Sequence, residues 1–229
     1  MPQRASDILK PRKSPVQARS MASVDAILKA TIQVLLRLGK ERLTTTNVAL
    51  RAGVSVGTLY QYFPNKKALL QAALKRHLTD VAEAVEQVCE EQEGRTPRQM
   101  ATAVITAYLD AKMKVAKTSS ALYSVSSDVD GAKIVQQITT RFHKAIVEML
   151  RTASDPLATD PQLVASILLA SMGGVVRILL ESSNPEQQVD TLREELIFAA
   201  CAYLDACSAR ESAYEPNTTP GYSRVLPKR

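Results

Sequence analysis

Residues 44–70 read TTTNVALRAGVSVGTLYQYFPNKKALL, and this stretch decides the fold. Thr44 is placed to accept a hydrogen bond from the free N–H groups of a short helix running from Thr45 to about Ala52. Gly53 ends that helix, because glycine adopts the left-handed conformation after a helix without a Cβ clash. Ser55 caps the next helix, from Val56 to about Phe63, which Pro64 stops by lacking a backbone donor and steering its predecessor out of helical geometry. Two caps eleven residues apart with a glycine between them spell a helix-turn-helix. Asn65 then caps a long helix carrying Leu69, Leu70, Ala73, Leu74, Leu78, Val81, Val85 and Val88, which fades near Glu91–Gly94.

Upstream, the spacing of Val24, Ile27, Leu28, Thr31, Leu35 and Leu38 predicts an amphipathic first helix that starts near Ser23 and stops at Gly39. Downstream, helices are expected at about 97–117, 120–127, 130–153, 161–182 and 186–209, with Pro97, Pro156, Pro161 and Pro185 marking starts or breaks. No repeat and no period-two strand pattern stands out, so the fold class is all-α. The expected organisation is a basic flexible arm over 1–20, a helix-turn-helix domain over 21–70, a helical regulatory and dimerisation domain over 71–210, and a polar disordered tail over 211–229.

A chain of 229 residues with 45% apolar and 23% charged residues has ordinary globular composition, and 8 glycines, 11 prolines and no tryptophan favour helix. The longest charge-free apolar stretch, between Asp160 and Arg177, holds 16 residues, short of the roughly 20 that a membrane span needs. The basic N-terminus lacks the apolar segment of a secretory signal. Cys89, Cys201 and Cys207 have no framework spacing, which suits a reducing, cytoplasmic compartment. Charge is uneven: residues 1–77 hold 14 Lys and Arg against 3 Asp and Glu, a net of +11, and residues 78–229 hold 15 against 20, a net of −5. A basic first third beside an acidic remainder is the footprint of a polyanion-binding module on a regulatory or assembly domain.

Within the helix-turn-helix, Val48, Ala49, Val54, Leu59 and Phe63 have the spacing to pack the two helices together, leaving Val56, Gly57, Thr58, Tyr60, Gln61 and Tyr62 outward. That face has no acidic residue and suits a phosphate-lined groove. Gly57 lets the helix N-terminus, with its dipole and free N–H groups, approach a backbone closely. Gln61 can pair bidentately with adenine, and Val56 and Thr58 can touch a thymine methyl. Tyr60, Tyr62 and Lys66 suit phosphates, which position the protein without reading sequence. Taken singly, the tyrosines also suit a core and Lys66 a solvated surface; the string as a whole is much more specific.

The stretch closely resembles the DNA-binding domain of the TetR family of bacterial transcriptional regulators. The residues that carry the likeness are Thr44-Thr45, Val48-Ala49, Ala52-Gly53-Val54-Ser55, Gly57-Thr58-Leu59-Tyr60, Tyr62-Phe63 and Lys66 followed by Leu69-Leu70, with Gly39 upstream. It covers roughly residues 20–75, about a quarter of the chain. Two positions depart from the pattern: Lys40 stands where an aromatic residue is common and Lys67 where an acidic one is, and both are expected to add positive charge near the phosphate path. The resemblance implies a homodimer that binds a palindromic operator in double-stranded DNA through Thr44, Thr45, Ser55, Val56, Gly57, Thr58, Tyr60, Gln61, Tyr62 and Lys66. It also implies release by a small-molecule effector that changes the separation of two recognition helices, which must match half-sites ~34–36 Å apart or a multiple of that.

The larger domain says less. The helix over 161–182 is apolar nearly all round, so most of its faces must be covered. By the resemblance, it and the last helix form a four-helix dimer interface with a second copy, through Ala165, Leu169, Gly173, Val176, Leu196, Ala200 and Tyr203. The alternative is that these residues build only the intrachain core. Candidates for an effector pocket are Tyr108, Tyr123, Phe142, His143, Met149, Met172 and Arg177. Met and aromatic residues at helical spacing usually serve packing, and His143 sits between Arg141 and Lys144 as a surface residue would. Arg177, a charge within an apolar helix, needs either an acidic ligand or Glu181, one turn on, and the intrachain pair is favoured. An enzyme is not expected: the sequence holds two histidines on different helices, no metal-ligand spacing, and no nucleophile elbow or phosphate loop. No cofactor and no catalytic residue is assigned. A non-enzymatic helical scaffold, or a protein that binds polyanions without sequence preference, is the competing reading.

Overall fold

The computed structural model describes residues 18–208, and its order of elements is α1 (Ala18–Arg42), α2 (Thr45–Ala52), α3 (Val56–Tyr62), α4 (Lys66–Glu91), α5 (Pro97–Met113), α6 (Ala116–Val125), a 3-10 turn (Ser126–Val129), α7 (Gly131–Arg151), α8 (Pro161–Glu181) and α9 (Pro185–Ser208). The described chain is helical throughout, as the apolar periodicity requires. The first 17 residues of the expected arm and the expected tail lie outside the described residues.

Local chemistry sets the boundaries. Thr44 accepts a hydrogen bond from the Asn47 amide, Ser55 from the Thr58 amide and Asn65 from the Ala68 amide, each cap contributing about 0.5–2 kcal/mol. Gly53 has φ 69° and ψ 29°, and its N–H bonds back to the carbonyls of Ala49 and Leu50. Gly39 interrupts α1 with φ 73°, and the chain resumes one further turn to Arg42. The helix starts at Ala18, earlier than the Ser23 expected, so the last residues assigned to the arm are helical. Pro97, Pro161 and Pro185 each open a helix, where a missing N–H costs nothing.

α1, α2 and α3 fold around Ile27, Val34, Val48, Ala49, Leu59 and Phe63, all buried. α4 joins this bundle to the rest, and a single apolar cluster runs from Ile27 to Cys207 through its buried stripe. In the larger part α5 packs along α9, α4 along α7, and α8 against both α7 and α9. Paired guanidinium–carboxylate contacts tie the layers together: Arg141 to Glu86 and Arg98 to Asp205, each through two bonds, and Arg193 to Asp110.

α8 is long and apolar enough by length and composition to cross a membrane once its internal Arg177 is tolerated, which qualifies the expectation drawn from charge-free runs. One face of it lies in the core, where Val164, Ala165, Leu168, Met172, Val176 and Leu179 are buried. Four of the seven interface residues expected from the sequence are buried within this chain. Ala165, Val176, Leu196 and Ala200 are core residues of this chain, Leu169 and Tyr203 are half-buried, and Gly173 is exposed at the edge of a cavity. The apolar residues left outward on these helices are Leu163, Ile167, Ile178 and Phe198, the last 72% exposed.

Candidate nucleic-acid interface and internal cavity

α2 and α3 meet as the capping pattern requires, with Val48 and Ala49 against Leu59 and Phe63. The outward residues of α3 are Val56, Gly57, Tyr60 and Gln61, all exposed, with Thr58 half-buried beside Ser55. Tyr60 Oη lies 3.0 Å from Thr45 Oγ1, so the phenol is held at the seam of the two helices with its ring facing out. Thr44 and Ser55 spend their hydroxyls on capping, which leaves their backbones at the helix N-termini.

Three expectations change. Tyr62, expected outward, is 9% exposed: it shares a face with Leu59 and Phe63, three residues before and one after, and belongs to the core. Lys66 donates to the carbonyl oxygen of Lys40 at 2.7 Å, so it fastens the start of α4 to the end of α1. Lys40 and Lys67, expected to add charge along a phosphate path, are paired with Asp128 and Asp130. Gln71 Nε2 also donates to the Val129 carbonyl at 3.1 Å. The 3-10 turn between α6 and α7 is therefore strapped to the helix-turn-helix unit by two ion pairs and a hydrogen bond. Gly131 makes the strap possible: a Cβ there would lie 2.6 Å from the Ser126 carbonyl oxygen and 3.0 Å from Leu74 Cδ2.

On the other side of that turn is a cavity of about 240 Å³ among α4 to α8, lined by Leu74, Tyr108, Ile138, Phe142, Leu169 and Val176, with polar groups from His77, Lys112, Ser119, Tyr123, Ser126 and Arg177. Tyr108 and Phe142 meet edge to face at 5.7 Å between ring centres. Tyr108, Tyr123, Phe142 and Arg177 are thus brought together as expected. His143, Met149 and Met172 are not: His143 Nε2 lies 3.0 Å from the Gln162 carbonyl and 3.1 Å from Ser166 Oγ at the α7–α8 contact, Met149 borders a separate cleft beside Glu86, and Met172 is core. Arg177 makes no ion pair with Glu181 or any other carboxylate among the described residues, contrary to the favoured expectation.

Sequence reading missed His77 and Lys112. Lys112 is 8% exposed and its ammonium sits 5.9 Å from the Tyr108 ring centre. Burial pulls its pKa down to about 8 from the usual 10.5. His77, also buried, has its Nε2 3.0 Å from Ser119 Oγ, and that hydroxyl donates to the Lys112 carbonyl at 3.3 Å. Burial, and then the charge of Lys112, push the His77 imidazole down to about 4. A signal was present: Lys112 continues the buried stripe Ile105–Leu109 of α5 at helical spacing.

Among the described residues no group of His, Cys, Asp and Glu is arranged to hold a metal ion. Two wider clefts are present: one of about 660 Å³ lined largely by exposed residues, and one of about 780 Å³ that reaches the buried His77 from the other side.

Comparison with known proteins agrees with this architecture. Residues 27–73 match the family described as bacterial regulatory proteins, tetR family, and residues 96–204 match the tetracyclin repressor-like C-terminal domain, so the two together take in more than half of the chain. The HTH-type transcriptional regulator BetI 1 of Chromohalobacter salexigens is 30% identical over 119 residues, covering 51% of this chain and 58% of that protein. The HTH-type transcriptional repressor KstR of Rhodococcus jostii is 27% identical over 148 residues, 64% of this chain and 66% of its own. The chain spans about half the length of the first curated relatives it matches. The crystal structure of the transcriptional regulator FadR from Bacillus subtilis in complex with stearoyl-CoA covers 76% of this chain and 97% of its own at a TM-score of 0.56 and 16% identity, a likeness of fold.

Proposed function

This chain belongs to the TetR family of bacterial regulatory proteins, and from that premise we propose that it is a cytoplasmic repressor that binds a palindromic DNA operator as a homodimer and releases it when a small molecule enters the cavity. It acts by binding, with no catalytic step. The observation that carries the DNA reading is the outward face of α3, Val56, Gly57, Thr58, Tyr60 and Gln61, which has no acidic residue and stands at a capped helix N-terminus. Gln61 is assigned the reading of bases in the major groove, and Tyr60, Thr45 and the backbone at Thr44 and Ser55 the positioning on phosphates. Tyr62 and Lys66 support this face from behind. The dimer is assigned to the outward apolar residues of α8 and α9, Leu163, Ile167, Ile178 and Phe198, in place of those expected from the sequence.

The test is fluorescence anisotropy of the full chain against duplexes drawn from the DNA around its own gene, at two salt concentrations. Nanomolar, palindrome-selective binding with two chains per duplex and a steep loss of affinity with salt is the expected result. Weak binding that ignores sequence would instead favour a non-specific polyanion binder, and none at all a scaffold. On the selected operator, Gln61→Ala should relax preference at particular bases by about 1–3 kcal/mol, whereas Tyr60→Ala should weaken every duplex alike. Equal loss on all duplexes for Gln61→Ala would remove it from the reading role.

For the response to ligand, the strap offers the route. Ser126 and Tyr123 border the cavity, and Asp128 and Asp130, two and four residues beyond Ser126, hold Lys40 and Lys67 of the DNA-binding unit. A ligand that displaces the turn thereby shifts the ends of α1 and α4. Replacing both aspartates with asparagine should free the lysines for phosphate contact. The expected outcome is tighter binding to any duplex and, with two lysines freed in each chain of the dimer, a log–log salt slope steeper by up to about 4, with a weakened response to effector. An unchanged salt slope would place both lysines off the phosphate path.

A further inference from the structure

The cavity reading above names a small molecule without its chemistry, and the residues that line the cavity narrow it. The lining includes two cations, Lys112 and Arg177, and no aspartate or glutamate. Lys112 is more than nine-tenths buried, and its ammonium makes no ion pair or hydrogen bond among the described residues; it lies over the face of Tyr108. A buried charge without a counter-ion is costly, and a folded chain keeps one where a ligand supplies the missing partner. Arg177 differs, because it is exposed and water serves it at the rim. Around Lys112 the walls are apolar and aromatic: Leu74, Leu78, Tyr108, Ile138, Phe142 and Val176.

Resting on the proposed effector role of this cavity, we infer that its ligand is a compact monocarboxylate with an apolar or aryl body, its carboxylate seated on the Lys112 ammonium and its body against Tyr108 and Phe142. The sign follows from the lining, since a cationic ligand would face two positive side chains with no carboxylate to hold it. One negative charge matches the one buried cation, Lys112, while Arg177 at the exposed rim is left to water. The Ser119 hydroxyl near Lys112 is already in use, its Oγ lying within bonding distance of both His77 Nε2 and the Lys112 carbonyl. The dominant new contact is therefore the ion pair itself, which low local polarity strengthens.

Size follows from the space. An apolar cavity of about 150 Å³ holds benzene, so 240 Å³ corresponds to roughly ten non-hydrogen atoms by the same proportion. Phenylacetate and octanoate both meet that size. Phenylacetate fits the edge-to-face pair of Tyr108 and Phe142 best, because a third ring can continue their packing.

The test is isothermal titration calorimetry of the full chain with phenylacetate and octanoate, each beside its neutral amide, and with 2-phenylethylammonium as the cation of matching size. The acids should bind at least tenfold more tightly than their amides, and the ammonium should not bind. At pH 8.5, binding of the acids should draw protons from the buffer, because the carboxylate restores the charge of Lys112; the heat will then vary with buffer ionisation enthalpy. Lys112→Met keeps the volume and removes the charge, so it should bring acid and amide to equal affinity and abolish proton uptake. Lys112→Gln, which keeps a polar tip without the charge, should do the same and serves as the second variant should Lys112→Met fail to fold. Amides or the ammonium binding as tightly as the acids, acid preference persisting in Lys112→Met, or no heat from either acid at millimolar concentration would each overturn the inference. Operator binding is measured separately without acid. Acids that bind but leave the operator occupied would uphold the ligand class and sink the effector role.

Discussion

A Gly57→Ala protein should melt at or slightly above the temperature of the parent and bind operator DNA at least tenfold more weakly. The two halves of this result come from one observation. A Cβ built at Gly57 meets only Ser55 Oγ, at 3.7 Å, which is ordinary contact, and its backbone is that of a right-handed helix. Nothing inside the chain asks for glycine there, and alanine is the better helix former by up to about 1 kcal/mol. The missing side chain therefore serves something outside the chain. At the start of α3, on a face without acidic residues, that is the close approach of a phosphate or base edge to the helix N-terminus. Gly53 and Gly131 are different: the first has φ 69°, and a Cβ on the second would lie 2.6 Å from a carbonyl oxygen, so alanine at either position should lower stability whatever it does to DNA binding. Thermal melts together with anisotropy on the three variants separate the cases. Undiminished affinity in Gly57→Ala would take the N-terminus of α3 off the DNA.

The helix-turn-helix was legible because its punctuation is local. Thr44, Gly53, Ser55 and Asn65 act on backbone groups within four residues of themselves, so their chemistry can be read without knowing the fold. Tyr62 was misread although Leu59, Tyr62 and Phe63 fall on one helical face; an amphipathic side chain takes either side, and the phenol drew it outward. α8 failed for a different reason. A helix apolar all round carries no phase, so its sequence cannot say that Ala165 and Val176 turn inward and Ile167 and Ile178 outward. The partners of Lys40 and Lys67 lie 88 and 63 positions away, and only the packing of the 3-10 turn against α1 and α4 brings them together. Lys112 stood in plain view on the apolar stripe of α5, where a lone charge is the exception to examine first.

Acid should destabilise this protein through His77 in a window that opens near pH 6.5, before its carboxylates begin to titrate. The imidazole is buried on α4, with its pKa pushed down to about 4 by desolvation and by the positive charge of Lys112. Above pH 6.5 the group is neutral in both the folded and the unfolded chain and contributes no slope. As pH falls from 6.5 to about 4, the unfolded chain takes up a proton that the folded chain refuses, so stability drops by up to about 3 kcal/mol and then levels off. Lys112 adds nothing in this window, since with a pKa of about 8 it is protonated in both states there. Its own contribution lies between pH 8 and 10.5, where the unfolded chain still holds a proton that the folded one has lost and stability rises with pH. Urea unfolding of the parent and of His77→Gln between pH 7.5 and 4 isolates the effect, because every carboxylate is common to both and cancels in the difference. The glutamine protein should start less stable, having lost the fitted contact with Ser119, and should gain on the parent by about 3 kcal/mol across the window. Parallel curves would mean that the imidazole takes its proton in the folded state, and so that water reaches the inner end of the cavity beside Lys112.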